Sequence, residues 1–204
     1  MSSTNRGYDR HATDYYVTPK QCIKEFLGAW FQDLGGEFNS DEQTLLPDRP
    51  DKINWLDSCA GGDEKHDMSY PAVLEEEFDA PYVTTIDVRQ DSKAQIKEDY
   101  LWWQKKDDEY DVIITNPPFY AAKEIILKAL DDVKDGGYVV MLLRLNFFGS
   151  NERFPFWEAH LPKWCYVHHR RMSFTDDGKT DSIEYMHAVW KKGESPEFTM
   201  LKVI

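Results

Sequence analysis

Asp111-Val-Ile-Ile-Thr115, running into Asn116-Pro117-Pro118-Phe119, is the stretch from which the fold of this chain can be read. A short apolar run bounded by turn residues reads as a strand covered on both faces. Two successive prolines, which cannot donate to a ladder, end it. Similar strands read outward in both directions, at Ile53 to Asp57, Tyr82 to Asp87, Gly137 to Leu143, Trp164 to His168 and Glu184 to Trp190. Helical patterns fall between and before them. Thr18 is an N-cap and Pro19 a first helical residue for Cys22, Ile23, Phe26, Leu27 and Trp30. Pro71 opens a second helix through Phe78, Asp91 caps a short one to Lys97, and Ala121 to Val133 is helical by period, ending at Gly136-Gly137. Residues 33–52 and 147–163 read as loops, and residues 176–178 as a turn. Strands alternating with helices predict an α/β fold with a mostly parallel sheet. Ligands of such sheets lie beyond the carboxyl ends of the strands, so the residues that close each strand are the candidates for chemistry.

Asn116-Pro-Pro-Phe119 suits a substrate that carries an exocyclic amine. The amide oxygen of Asn116 and the carbonyl of Pro117 can both accept hydrogens from one NH₂ group. Pro117 and Pro118 restrict φ and so preorganise the two acceptors, while Phe119 offers a flat face on which a base can stack. An ordinary strand-ending proline turn needs neither the amide nor the aromatic. After the strand at Ile53 comes Ser58-Cys-Ala-Gly-Gly-Asp63, where Gly61 and Gly62 let backbone approach a ligand closely. A carboxylate at Asp57 or Asp63 can hold an ammonium, and Asp87, closing the next strand, can accept from two ribose hydroxyls.

These segments resemble a known family. Asp111 to Phe119 resembles the catalytic motif of S-adenosylmethionine-dependent N6-adenine methyltransferases. Tyr15-Tyr16 with Thr18-Pro19 is similar to that family's N-terminal cofactor motif, and Trp55 to Asp63 to its glycine-containing first motif. This chain has Ala60-Gly61-Gly62 where commoner members have a Gly-x-Gly pattern. Ala60 to Asp63 with His66 and Met68-Ser-Tyr-Pro71 resembles small phage and prophage DNA adenine methyltransferases, as does Arg171 to Asp181 followed by Glu184-Tyr185 and Val189-Trp190. The motif order is that of the gamma arrangement.

The resemblance implies a Rossmann-like S-adenosylmethionine methyltransferase fold, a seven-stranded mostly parallel sheet with helices on both faces and an antiparallel last strand. One domain over residues 1–204 is expected, with the polar residues 1–17 flexible; family members that recognise sites usually carry a separate target-recognition domain, and none is expected here. S-adenosyl-L-methionine is the implied cofactor, held by Tyr16, Thr18, Pro19, Asp57, Ala60, Gly61, Gly62, Asp63, Asp87, Asp99, Tyr100 and Asn116. Asn116, Pro117, Pro118 and Phe119 are the implied catalytic residues, acting by direct methyl transfer to a flipped-out adenine of DNA. Phe119, Arg170, Arg171, Phe174 and Lys179 are the implied substrate contacts. Sequence preference would come from loops 61–71, 147–163 and 172–182, from a specificity-giving protein partner or from a second copy. RNA adenine is an alternative substrate for the same pocket. Protein glutamine N5 is another, although that family has Tyr where this chain has Phe119 and carries an N-terminal helical domain. A non-catalytic cofactor-binding interaction module is the alternative of a different class. Cytosine C5 methylation is excluded, since none of Cys22, Cys59 and Cys165 stands in a Pro-Cys context.

The chain has 204 residues, 41% apolar and 30% charged, with a net charge of −13, which is a globular composition. The excess is local: residues 37–111 hold 21 acids and 8 bases, while both flanks balance. A uniformly basic nucleic-acid binder is excluded, but a local basic surface is not. His168-His-Arg-Arg171 with Lys163 and Lys179 reads as such a rim or as a solvated strand end, and Glu75 to Glu77 and Asp107 to Glu109 as solvated faces. Cys165, His168 and His66 lack a second cysteine pair at ligand spacing, so no metal is expected. Three widely spaced cysteines, no apolar signal core and no long apolar window predict a cytoplasmic protein with no membrane partner. The charge balance predicts weak, salt-sensitive DNA binding by the isolated chain. Fluorescence anisotropy at low and physiological salt checks this, and tight binding at physiological salt contradicts it.

Overall fold

A computed structural model describes residues 16–37, 52–80, 82–105, 110–175 and 177–204. Residues 1–15 of the expected flexible segment 1–17, Tyr15 among them, residues 38–51 of the expected loop 33–52, Asp107 to Glu109 and Asp176 lie outside the described residues. Four α-helices and seven strands are present among those described: α1 (Lys20–Glu37), β1 (Trp55–Asp57), α2 (Ser69–Phe78), β2 (Val83–Thr85), β3 (Tyr110–Thr115), α3 (Ala122–Asp132), β4 (Val133–Arg144), α4 (Phe154–Ala159), β5 (Trp164–Val167), β6 (Tyr185–Lys191) and β7 (Met200–Val203). The strands form one sheet in the order β2-β1-β3-β4-β6-β5-β7. β1 to β4 run parallel, and β6 is antiparallel to both β4 and β5.

Alternation along the strands divides the core between two faces. Val139, Met141 and Leu143 of β4 and Ile113 of β3 join α3 and Trp157 of α4 in one cluster. Tyr138 and Val140 of β4 and Val112 and Ile114 of β3 join α1 and α2 in the other. Strands covered on both faces carry the continuous apolar runs by which they were recognised.

The departures from the sequence reading have local causes. Helix α1 continues through Gly35-Gly36 to Glu37 because Phe31 and Leu34 are buried against the sheet, and that burial outweighs the helix cost of glycine. No helix forms from Asp91 to Lys97. Instead, Thr85 O accepts from Ile96 N at 3.0 Å and Thr85 Oγ1 from Gln95 N at 3.0 Å, laying this segment along the edge of β2. Helix α3 ends at Asp132 rather than at the Gly-Gly pair. Val133 already pairs with Tyr110, and Tyr138 resumes the ladder opposite Val112, so residues 134–137 bulge between them. The stretch 147–163 holds a 3-10 turn over Leu145–Phe148 and the short α4, where Arg153 Nε donates to Phe147 O at 2.8 Å. The antiparallel strand is β6 and is not the last, since β7 follows it and pairs in parallel with β5. All four β7 residues are exposed, which leaves an edge strand of this kind with no burial pattern to read.

Gly137 closes that bulge, and a Cβ there would meet Asp111 O and Val133 Cγ2 at 2.8 Å. Gly137→Ala is expected to lower folding stability by about 1–3 kcal/mol, read as a lower urea midpoint.

Candidate active site

The carboxyl ends of β1, β2 and β3 open on one cavity, as expected for a parallel sheet. Its floor begins with a hydrogen-bonded hub. Thr115, the last residue of β3, donates from Oγ1 to Asp57 Oδ1 at 2.6 Å and accepts from Cys59 N at 3.0 Å. Asp57 is completely buried and its Oδ2 has no partner. Burial pushes its carboxyl up to about 7, against the bonds from Thr115 and Cys59, with the Asp87 charge adding to the rise. Asp57 therefore ties β1 to β3 and does not line the cavity.

The glycine-containing turn wraps the next wall. Ala60 N donates to Ile86 O at 2.9 Å and Gly61 N to Asp87 Oδ2 at 2.8 Å. Gly62 has φ +73°, and a Cβ there would meet Met68 Cγ at 2.9 Å, so only glycine fits. The other oxygen of Asp87 accepts from Arg89 N at 2.8 Å, while Arg89 Nη2 donates to Gly62 O at 2.8 Å. Asp87 lines the cavity with both oxygens engaged; Oδ1 also lies 3.3 Å from Arg89 Nε, and Oδ2 keeps a second acceptor site. Asp63 does not line it. Its carboxyl accepts from Lys65 N and His66 N, both at 2.8 Å, and lies 3.0 Å from His66 Nδ1. Partial burial would raise this group, but those bonds, the His66 ring first, hold it below the usual carboxylate range.

Asp99 and Tyr100 line the far wall. Asp99 Oδ1 accepts from Leu101 N at 3.0 Å, and the Tyr100 hydroxyl donates to Asp132 Oδ2 at 2.8 Å. Tyr16 and Thr18 line the opposite side. Pro19 does not, but its carbonyl accepts from Cys22 N at 3.0 Å and starts α1. Asn116 and Pro118 line the cavity, and Pro117 is buried behind them. Asn116 Nδ2 donates to Thr18 Oγ1 at 3.0 Å. This bond fixes the amide, leaving Oδ1 as its acceptor.

Phe119 sits in an adjoining depression with Tyr16, Phe174 and Tyr185. Phe174 meets Tyr185 edge-on at 4.9 Å, and Tyr16 belongs to both hollows. The Arg144 guanidinium lies 4.2 Å over the Phe119 ring, and its Nε donates to Tyr185 Oη at 3.3 Å. The basic cluster does not converge on the site. His168 is buried, and Lys163 at the amino end of β5 pairs with Glu194 at 3.0 Å, at the opposite end of the sheet. Arg170, Arg171 and Lys179 are exposed beyond the carboxyl end of β5 and line neither hollow; Arg171 pairs with Glu184 and Lys179 with Asp177.

Several lining residues were not singled out from sequence: Arg89 and Tyr120 around the cavity, and Arg144 over Phe119, while Tyr70 stood in the quoted Met68-Ser-Tyr-Pro71 stretch with no role assigned. Arg89 lies two residues past Asp87, which is the one signal that could have found it. Arg144 ends an apolar strand and is ordinary there until the fold brings it over Phe119.

No family model matches this chain, and no curated protein matches it. Solved structures do. A protein described as a class I S-adenosylmethionine-dependent methyltransferase from Listeria monocytogenes superposes with TM-score 0.54 at 15% identity, over 91% of this chain and 73% of its own. A protein described as an RNA methyltransferase from Pyrococcus horikoshii gives TM-score 0.59 at 19% identity, over 93% and 94%. A protein described as a modification subunit of a type I restriction enzyme from Vibrio vulnificus gives 0.62 at 12%, over 93% of this chain and 47% of its own. The chain has the Rossmann-like methyltransferase fold. In this methyltransferase fold the seven strands, mostly parallel, carry the cavity at their carboxyl ends. Among the described residues no helix is long and apolar enough to cross a membrane.

An aspartate ionises near 3.8 in the absence of burial, while Asp57 keeps its proton up to about 7. Across that window the unfolded chain binds fewer protons than the folded one, so this residue's contribution to stability falls as pH rises. Asp57→Asn cannot ionise. Its urea midpoint relative to the parent should improve between about pH 5 and about pH 7.5, and an unchanged difference would remove the buried-proton assignment.

Proposed function

We propose that this chain is an S-adenosylmethionine-dependent methyltransferase acting on adenine N6 in DNA. The observation that carries the reading is the Thr18–Asn116 hydrogen bond, which leaves the Asn116 amide oxygen as a fixed acceptor beside an aromatic hollow. The cavity chemistry fits the cofactor. Gly61 and Gly62 supply backbone at close range, Asp87 and Asp99 supply acceptors at the walls, and Tyr100 a ring. S-adenosylmethionine, when bound, supplies an electrophilic methyl group. Asp87 is suited to accept from ribose hydroxyls and Asp99-Tyr100 to contact the cofactor's base. The acidic lining suits a cationic ligand.

An adenine amine is a poor nucleophile because its lone pair is delocalised into the ring. Acceptance of its hydrogens by Asn116 Oδ1 and the Pro117 carbonyl favours the tetrahedral nitrogen with a localised pair. Pro117 and Pro118 hold these acceptors stiffly. Phe119, Tyr16, Phe174 and Tyr185 provide ring faces and edges for a base taken out of the duplex. Arg170, Arg171 and Lys179, beyond the same end of the sheet, are free to meet phosphates at the rim once their exposed pairings exchange. Sequence preference is proposed to come from the loops 61–71, 147–163 and 172–182, from a specificity-giving partner or from a second copy. One structural relative is described as a restriction-enzyme modification subunit and another as an RNA methyltransferase, so RNA adenine is the second reading.

The test is incubation of the full chain with labelled cofactor and DNA, RNA or protein, followed by nucleoside and amino-acid analysis. N6-methyladenine from DNA supports the proposal, and label in RNA or in glutamine redirects it. Asn116→Ala should lower the transfer rate by more than about a hundredfold, with cofactor binding by calorimetry nearly unchanged. Normal turnover in that variant overturns the assignment.

A further inference from the structure

Behind the site, on the face of the sheet covered by α1, a line of buried polar side chains runs away from the cavity. Tyr70 Oη, at the cavity wall, is 2.9 Å from His187 Nε2, and His187 Nδ1 is 2.8 Å from His168 Nε2. Both histidines are buried, His187 fully. His168 Nδ1, at the end of the line, is buried with no hydrogen-bond partner. Next to it, one helical turn of α1 presents Cys22 and Glu25, and the ligand atoms of Cys22, Glu25 and His168 all lie within 4.8 Å of one another. Both α1 residues are half-buried, so the cluster is reachable from solvent.

We propose that Cys22 Sγ, the Glu25 carboxylate and His168 Nδ1 form a site for a divalent, thiolate-preferring metal ion, with zinc as the best fit. Three protein ligands of S, O and N type with a fourth position left for water is a set that zinc accepts. Hydrogen-bond direction supports it. If Tyr70 donates toward the histidines, the line ends on a buried His168 N–H with no acceptor, which costs free energy. If the line runs the other way, His168 Nε2 donates to His187, His187 Nε2 donates to Tyr70, and His168 Nδ1 is left as a bare lone pair in the cluster with Cys22 and Glu25. A metal ion satisfies that lone pair together with the thiolate and carboxylate. His187 and Tyr70 then act as the outer partners that orient a metal-bound imidazole. Burial holds His168 down at about 4, against the pull of Glu25, so its ring is neutral as a ligand must be. Burial and Glu25 push the Cys22 thiol up to about 11, with Arg170 pulling the other way, so the thiol would ionise on binding the metal. The site would clamp α1 to β5 four residues from Thr18, the residue that orients Asn116, and through His187 would reach Tyr70 in the cavity.

The proposal does not depend on the methyltransferase reading and is tested without an activity assay. The full chain, stripped of metal by a chelator, is titrated with zinc chloride by calorimetry, and its melting temperature is followed. One zinc per chain and a raised melting temperature are expected. Cys22→Ser and Glu25→Gln should each weaken zinc binding by more than about tenfold, while His66→Gln, at the separate Asp63–His66 pair, leaves it unchanged. Cobalt in place of zinc should give a thiolate charge-transfer absorption that Cys22→Ser abolishes in a chain that still melts cooperatively. Absence of binding, binding indifferent to Cys22→Ser, or binding lost in His66→Gln overturns the proposal.

Discussion

The bond from the Thr115 hydroxyl to the buried Asp57 carboxyl is the constraint on which the rest of the site depends. It is 2.6 Å long and joins the carboxyl ends of two adjacent parallel strands. With Cys59 N also bound to Thr115, the turn after β1 and the turn after β3 have a common anchor. Asn116 follows Thr115 directly and Ala60-Gly61-Gly62 follow Cys59, so the catalytic candidate and the glycine-containing wall of the cavity are positioned by one hydroxyl. A protonated Asp57 lets this hub sit in the interior without an unpaired buried charge.

The second support comes from α1. Its aromatic face is stacked into the sheet, Phe26 over His187 at 4.1 Å and Phe26 against Trp30 at 5.6 Å. Thr18, just ahead of the helix, is buried and accepts from the Asn116 amide. Packing of apolar residues more than 150 positions from β6 in sequence thus decides which way an amide oxygen faces in the cavity. Lys20 and Lys24 also pair with Glu76 and Glu77 of α2, exposed contacts that add little energy beside the buried ring stack.

Charge, too, acquires a location. Several acids of the segment that carries the net negative charge are used inside the fold, Asp57 at the hub, Asp87 at the glycine turn and Asp111 bonded to Asn54 N at 2.7 Å. Others, Asp67 and Asp99, line the cavity. The acidity is therefore partly a property of the ligand site and partly of solvated faces such as Glu75 to Glu77.

Much of this was legible in the linear chain because its causes are local. A strand buried on both faces must be an apolar run, a Pro-Pro pair must end it, and a glycine turn must follow a strand that lets a ligand approach. Those facts sufficed for the α/β class, the strand from Asp111 to Thr115 and the placing of Gly61, Gly62, Asp87 and Asn116 at strand ends, while Thr18, Asp99 and Tyr100, which share their cavity, came from the family resemblance. Contacts made across long sequence separations were not legible. The turning of Asp57 into the core, the capture of Asp63 by His66, Arg144 over Phe119, the burial of His168 and the edge strand β7 each depend on what the fold brings alongside. The sequence by itself determined which residue types stand at the strand ends, since periodicity and turn chemistry are properties of neighbours. Only the tertiary structure decided which of those side chains face the cavity and which are consumed in holding it open, because a polar group in the interior points wherever its nearest partner lies.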